Sequence, residues 1–203
     1  MHWHLFFAFF AIALVLYVTP GPVVTLVVTT GARSGIRAAL LTVAGGVTGN
    51  AALLACIAFG LSWILQRSAE IFDVLRWIGA AYLIWLGVMA WRHPDAGTAR
   101  APRGRVHVWR GFIVALTNPK TIAFFTAFLP QFIDPALPVD RQLLVMCVTS
   151  VLLGAALDSG WGIAAGLGRT FFLKQASTRW LSRVSGAVLI GGGVWLSLAR
   201  RTG

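Results

Sequence analysis

The chain has 203 residues, of which 58% are hydrophobic and only 11% are charged, with a mean hydropathy of +0.79. Soluble domains carry about a quarter of charged residues, so this composition excludes a soluble globular protein and predicts an all-α integral membrane protein. The net charge of +11 does not indicate nucleic-acid binding, because the 17 basic residues are spread over several connectors.

Six apolar segments follow one another along the chain, with short connectors between them. They cover residues 5–28, 38–65, 74–91, 111–132, 143–168 and 181–199. Each is close to the ~20 residues that a helix needs to cross a hydrocarbon core of ~30 Å. We therefore predict a single transmembrane domain over 1–203, with six transmembrane helices and no room for a second, soluble domain.

The first segment is interrupted by the sequence TPGP at positions 19–22. No Lys or Arg precedes its apolar run and no small-x-small motif follows before the prolines, so we expect a retained helix and not a cleaved signal peptide. Pro20 and Pro22 lack amide hydrogens. The carbonyls one turn earlier, those of Leu16 and Val18, therefore lose their helical partners, which lipid tolerates only where protein or water supplies new ones.

Thr19 and Pro20 also have the pattern of a helix start, with a hydroxyl cap followed by proline at the first helical position. A half-helix that begins there has free amides and a positive dipole end inside the membrane, which suits an anionic group. The fourth segment repeats the device with Asn118 as cap and Pro119 as first residue. A simple proline kink is the alternative for one break alone, and two capped breaks at matching places favour half-helices.

Two further polar side chains accompany these breaks. Asn50 lies in the second segment beside the small residues of GGVTG at 45–49, which favour close helix packing. An interhelical hydrogen bond is more common for such an Asn than a ligand contact. Lys120, directly after the second break, either assists with a substrate carboxylate or extends toward the cytoplasmic headgroups.

Asp158 lies about fifteen residues into the fifth segment, near the middle of the bilayer. A carboxylate at that depth costs a few kcal/mol even on the lenient insertion scale, so it needs a partner or a proton. Such an acid is suited to bind and release a proton during a transport cycle. The alternative is a structural carboxyl that caps a neighbouring helix or pairs with Lys120.

The cationic residues are divided unevenly between the two sides of the membrane. Eleven fall after the first, third and fifth segments and five on the other side, where Asp and Glu dilute them. By the positive-inside rule the first set of loops is cytoplasmic, so both termini are predicted to face outward. The lipid bilayer is thus a partner of the chain, and nucleic acid is not.

The two halves of the chain show similar features in the same order. Each has a broken segment, then a segment with an embedded polar residue, then a segment with an early Gly and a terminal Arg. Three crossings per half give the copies opposite orientations, and inverted repeats with interrupted helices are typical of secondary transporters. We predict a 3+3 inverted repeat with halves at about 1–92 and 110–200, joined by a basic cytoplasmic loop at 92–110.

Cys56 and Cys147 stand alone in apolar segments. Without a C-x-x-C pair or ligand spacing, we predict buried thiols and no disulfide, metal site or cofactor. Their corresponding positions in the two halves leave a membrane redox carrier as an alternative function, and a non-transporting membrane subunit is another. Neither alternative explains mid-membrane breaks together with a buried acid, and no catalytic residue or enzyme activity is predicted.

Four features of the chain occur together: TPGP at 19–22, WIGAAYLIWLG at 77–87, LTNPKTIAFFTAFLPQFI at 116–133 and the intramembrane Asp158. In combination they resemble the lysine exporter superfamily, specifically its homoserine/threonine efflux branch, over nearly the whole chain. The resemblance implies a bacterial inner-membrane exporter of amino acids or close derivatives that is driven by the proton motive force. The positions that match the family pattern are Thr19, Pro20, Gly21, Pro22, Asn118, Pro119, Lys120, Pro130, Gln131 and Asp158.

Together these observations predict a proton-coupled exporter of small neutral amino acids. A zwitterion suits a site with half-helix amides at one pole and Asp158 at the other. Some members of the superfamily, basic amino acid exporters among them, have an acidic residue in the second segment, where this chain has Thr48 and Asn50. This difference argues against a dibasic cargo. Small-residue faces at 45–49 and 191–193 permit helix contacts within a protomer or in a homodimer.

Overall fold

A computed structural model describes residues 1–65, 69–92, 106–172 and 175–198, and most of these residues are helical, with no β-strand among them. The all-α class is thereby confirmed for the described part of the chain. The helices are α1 (Trp3–Val18), α2 (Pro22–Ser34), α3 (Ile36–Leu65), α4 (Ala69–Arg92), α5 (Val106–Leu116), α6 (Pro119–Phe128), α7 (Val139–Leu167), α8 (Arg169–Phe172) and α9 (Gln175–Leu198), and a 3-10 turn over Leu129–Phe132 follows α6.

Within these ranges, three helical stretches are long and apolar enough to cross a membrane by themselves. They are Ile36–Gly60, Val106–Phe132 and Val139–Leu167. The pair α1 and α2, bent by 46° at its break, forms a fourth if it is counted as one span. The third predicted segment yields only a shorter apolar helix, Trp77–Met89. Crossings by α4 and α9, and with them the count of six, stay predictions, as does the 92–110 loop, most of which lies outside the described residues.

Glycine allows α3 and α5 to pack backbone against backbone. A Cβ atom at Gly45 would overlap the main chain of Val108, and one at Gly49 would overlap the main chain of Phe112. In lipid, helix association depends on such close van der Waals contact because there is no hydrophobic driving force between helices. The small residues at 45–49 were predicted to make helix contacts either within a protomer or in a homodimer. The GGVTG sequence packs within the protomer.

Helices α4 and α9 pack closely and run antiparallel. A Cβ atom on either Gly87 or Gly186 would lie 2.6 Å from the carbonyl oxygen of the other. Further along the pair, a Cβ atom at Gly193 would lie 2.8 Å from the carbonyl oxygen of Ala80. The third segment of the first half thus lies against the third segment of the second half, in the opposite direction.

The largest core cluster lies where α1, α4, α6 and α7 meet. Its members include Phe9, Leu16, Leu83, Phe125, Phe128, Leu129 and Met146. Outside this cluster many large apolar side chains are exposed, among them Trp77, Phe59 and Leu152. Exposed apolar side chains on this scale fit a surface solvated by lipid.

The predicted burial is wrong for the Cys56 thiol and only partly met by the Cys147 thiol. Cys56 is exposed, and Cys147 is half-buried with its thiol 3.9 Å from the carbonyl oxygen of Leu54. Burial of free cysteine is the tendency of proteins in water, whereas lipid solvates a small apolar side chain about as well as a protein core does. Both thiols are free.

Candidate functional site

The first break separates α1 from α2, and its local structure differs from the prediction. Thr19 does not cap α2: it ends α1, with its amide and its hydroxyl both donating to the carbonyl oxygen of Val15, at 3.0 and 2.5 Å. The cap position of α2 falls on Gly21, and Pro22 is the first helical residue. Residues before proline are biased toward extended backbone, and both Thr19 and Gly21 adopt it, so the helix restarts two residues later than predicted.

The second break, between α5 and α6, has the predicted cap. The Asn118 side-chain oxygen accepts a hydrogen bond from the Lys120 amide at 3.1 Å, and its side-chain nitrogen donates to the Thr121 hydroxyl at 2.8 Å. Pro119 occupies the first helical position, where its missing amide hydrogen is not needed. Helices α5 and α6 remain parts of one span in spite of the break.

Lys120 links the two breaks. Its side chain is only 6% exposed, and its ammonium donates hydrogen bonds to the carbonyl oxygens of Leu16, at 2.7 Å, and Thr19, at 2.5 Å. The Leu16 carbonyl is one of the two groups that the prolines deprive of a helical partner. Extension toward the headgroups, one of the two predicted roles of Lys120, is therefore wrong, because the ammonium is held inside the protein by the end of α1.

Gly21 makes room for this link. A Cβ atom added there would lie 2.9 Å from Cδ and 3.4 Å from Nζ of Lys120. The first distance is shorter than real Cβ contacts, so a larger residue would push the Lys120 side chain aside. The small residue in TPGP thus permits the lysine of the second break to reach α1.

A cavity of about 30 Å³ lies where the two breaks meet α3 and α7. This volume holds one or two water molecules. An amino acid does not fit without movement of the surrounding helices, so the site is too narrow for cargo in this conformation. The polar residues in the lining are Tyr17, Thr19, Asn50, Asn118, Lys120, Thr121 and Asp158.

Asp158 reaches this cavity from α7. It is 6% exposed, and within the described ranges no hydrogen bond or ion pair engages its carboxylate. Asp158 and Lys120 line the same cavity, but no salt bridge joins these two described side chains. A buried acid that faces a cavity and has no fixed partner is available to a ligand or a proton.

Asn50 and Tyr17 form an interhelical contact at the cavity wall. The Asn50 side-chain nitrogen donates to the Tyr17 hydroxyl oxygen at 2.7 Å, which joins α3 to α1 and confirms the predicted interhelical hydrogen bond. A Cβ atom at Gly154 would lie 2.9 Å from the Tyr17 ring, so α7 meets this ring through a glycine one turn before Asp158.

Sequence reasoning placed most of the site together and missed two polar residues. Tyr17 and Thr121 line the cavity; Tyr17 lies two residues before TPGP, and Thr121 directly follows Lys120 in the block at 116–133. Gln131 lies elsewhere, on the 3-10 turn, where its side-chain nitrogen donates to the Ala127 carbonyl at 3.3 Å. Pro20, Pro22 and Pro119 shape the breaks without lining the cavity.

Known proteins match this chain along most of its length. The family model for the LysE type translocator matches residues 14–200. An uncharacterized membrane protein of Vibrio cholerae is 32% identical over 202 residues, which are 97% of this chain and 98% of that protein. A homoserine/homoserine lactone efflux protein of Salmonella typhimurium is 32% identical over 198 residues, 96% of each chain.

A leucine efflux protein of Enterobacter sp. is 29% identical over 167 residues, which are 80% of this chain and 79% of that protein. No solved structure matches the chain. The family model covers most of the chain, and two relatives at 32% identity cover nearly all of it. This membrane protein therefore belongs to the LysE type translocator family.

Proposed function

We propose that the chain exports small neutral amino acids or close derivatives across the bacterial inner membrane in exchange for protons. One observation carries the proposal: the first turns of two half-helices and a buried carboxylate line the same cavity. The relatives named for efflux of homoserine, homoserine lactone and leucine support the same class of cargo. The neutral Thr48 and Asn50 in α3 argue against a dibasic one.

The substrate carboxylate would bind at the amino-terminal ends of α2 and α6. Val23, Val24 and Thr121 belong to these first turns and line the cavity. Amides in a first helical turn have no acceptor within the helix, and the helix dipole adds positive potential there. The Lys120 amino group lies on the same side and, when protonated, adds a positive charge there.

The substrate ammonium would bind to ionised Asp158 at the opposite wall. On the periplasmic side, a proton that binds this carboxylate neutralises it and releases the ammonium. On the cytoplasmic side the same proton leaves, which regenerates the carboxylate for the next substrate. Proton entry down its gradient is thereby coupled to exit of the amino acid.

The proposed transport cycle requires two-sided access to a site that is too narrow for cargo in this structure. We assign six crossings, with α4 and α9 as the third and sixth, both termini in the periplasm, and inverted halves at about 1–92 and 110–200. The antiparallel packing of α4 against α9 supports this arrangement. Movement of one half against the other would open the cavity to each side in turn.

Counterflow in proteoliposomes tests the proposal, with L-homoserine, L-threonine, L-leucine and L-lysine as cargo. We expect uptake of the neutral amino acids and none of lysine. Asp158→Asn should abolish uptake driven by a pH gradient, because the amide does not exchange a proton, and Asp140→Asn on the first turn of the same helix is the matched control. Unchanged flux with an unchanged pH profile in Asp158→Asn would remove this residue from the mechanism.

A further inference from the structure

One ammonium group supplies hydrogen bonds to two carbonyls at the end of α1. In an unbroken helix the Leu16 carbonyl would accept from the amide of residue 20, which is a proline here. The Lys120 ammonium takes the place of that amide and also bonds to the Thr19 carbonyl. A cation at the carboxyl end of a helix is additionally favoured by the helix dipole.

These bonds cross between the two halves of the chain. Lys120 belongs to α6 and its acceptors to the end of α1, more than a hundred residues earlier. The three residues all line the cavity. Loss of the two hydrogen bonds would remove this link between the first break and the second.

The end of α1 has space to move into. Leu16 also lines a second, apolar cavity of about 330 Å³ between α1, α4, α6 and α9, which Phe128 and Trp195 help to form. Among the described residues, the linings of this cavity and of the polar site share only Leu16. The end of α1 thus borders free volume beside α9, although Leu16 itself packs in the core cluster.

We propose that Lys120 is a positioning residue that holds the site closed: its ammonium ties the end of α1 to α6, and a substrate carboxylate opens the site by drawing the ammonium away from the two carbonyls. An ionised carboxylate is a stronger acceptor for an ammonium group than a carbonyl is. The release step rests on the proposed function, whereas the closure by Lys120 does not.

The accessibility of the cavity to a thiol reagent measures closure without any substrate. In a Cys56→Ala, Cys147→Ala background, Ala155→Cys places a thiol in the lining and Ala136→Cys places one on the exposed loop before α7. A charged methanethiosulfonate labels the purified proteins in detergent. Lys120→Met should speed labelling at position 155 by about tenfold or more, since a hydrogen bond to a charged group shifts an opening equilibrium by at least that factor.

Lys120→Arg is the matched control, because its guanidinium also donates to two carbonyls. It should label within about twofold of the parent protein, and no variant should change the rate at position 136. Gly21→Ala, which keeps the ammonium but displaces its stem, should also speed labelling at position 155. If Lys120→Met fails to fold, Gly21→Ala takes its place as the test of closure by Lys120. Unchanged labelling at position 155 in the folded variants would overturn the closure by Lys120.

The release step is tested with the amino acids that give counterflow. Each should speed labelling of the parent protein at position 155 and have little further effect on Lys120→Met. Transport with no such increase would overturn release while leaving the proposed function intact. Faster labelling of Lys120→Met in a protein that transports none of the panel would instead support closure and contradict the proposed function.

Discussion

The two breaks in this membrane protein interrupt their segments in different ways. The first, at Thr19–Pro22, bends its segment by 46° and has no side-chain cap on the helix that follows. The second, at Asn118–Pro119, stays within one span and carries its own cap. The second break is therefore complete in itself, whereas the first relies on hydrogen bonds from Lys120 of the second.

The side chains at the two breaks explain this difference. Asn118 reaches forward to the amide of Lys120 and satisfies the start of α6. Thr19 turns back to the Val15 carbonyl, so it adds nothing to the start of α2 and leaves the Leu16 carbonyl to another donor. The two breaks thus have unequal roles. The second supplies the hydrogen-bond donor, the Lys120 ammonium, and the first supplies the carbonyl acceptors.

Among changes at the two breaks, loss of the Lys120 ammonium should lower the free energy of unfolding most. Lys120→Met leaves two buried carbonyls without donors, which at ~1–3 kcal/mol each should lower the free energy of unfolding by about 4 kcal/mol. Unfolding by SDS in mixed micelles measures it. Lys120→Arg should lose less than half as much, and an equal loss in both variants would contradict the role of the two hydrogen bonds.

A backbone amide restored at position 20 should make the first break less dependent on the hydrogen bonds from Lys120 of the second break. In Pro20→Ala the residue can donate to the Leu16 carbonyl itself. We expect Lys120→Met to cost about 2 kcal/mol less in this background than in the parent, within the usual range for groups that share a partner. A double-mutant cycle by the same unfolding assay gives the value, and strict additivity would show that Lys120 does not replace the missing amide.

Removal of the Asn118 cap should have an intermediate effect. Asn118→Ala takes away the acceptor for the Lys120 amide, and such caps contribute about 1 kcal/mol. Asn118→Asp should retain most of the stability because a carboxylate accepts the same hydrogen bond. If Asn118→Ala unfolds at the same SDS fraction as the parent protein, the cap contributes nothing to stability.

Replacement of Thr19 should have the smallest effect, although TPGP is the more conspicuous motif. The Thr19 hydroxyl only duplicates a bond that its own amide makes to Val15. Thr19→Val keeps the shape of the side chain and should change the free energy of unfolding by no more than about 0.5 kcal/mol. A loss as large as that of Asn118→Ala would mean that the two breaks are capped alike after all.

The sequence by itself determined the features that follow from local chemistry. The amides missing at the prolines and the Asn118 cap are properties of short stretches, so they were predicted from the residues. The six crossings and the depth of Asp158 in the bilayer stay predictions. The position of the first helix start was mistaken because Thr19 can bond either forward or backward, and local pattern does not choose between the two.

The tertiary structure decided which groups meet. The bond from Lys120 to Leu16 spans 104 positions in the chain and the bond from Asn50 to Tyr17 spans 33. Each depends on how the helices pack, with Gly21 and Gly154 allowing the close approach. The exposure of Cys56 was decided in the same way, because only the packed bundle determines which side of a uniformly apolar helix faces protein and which faces lipid.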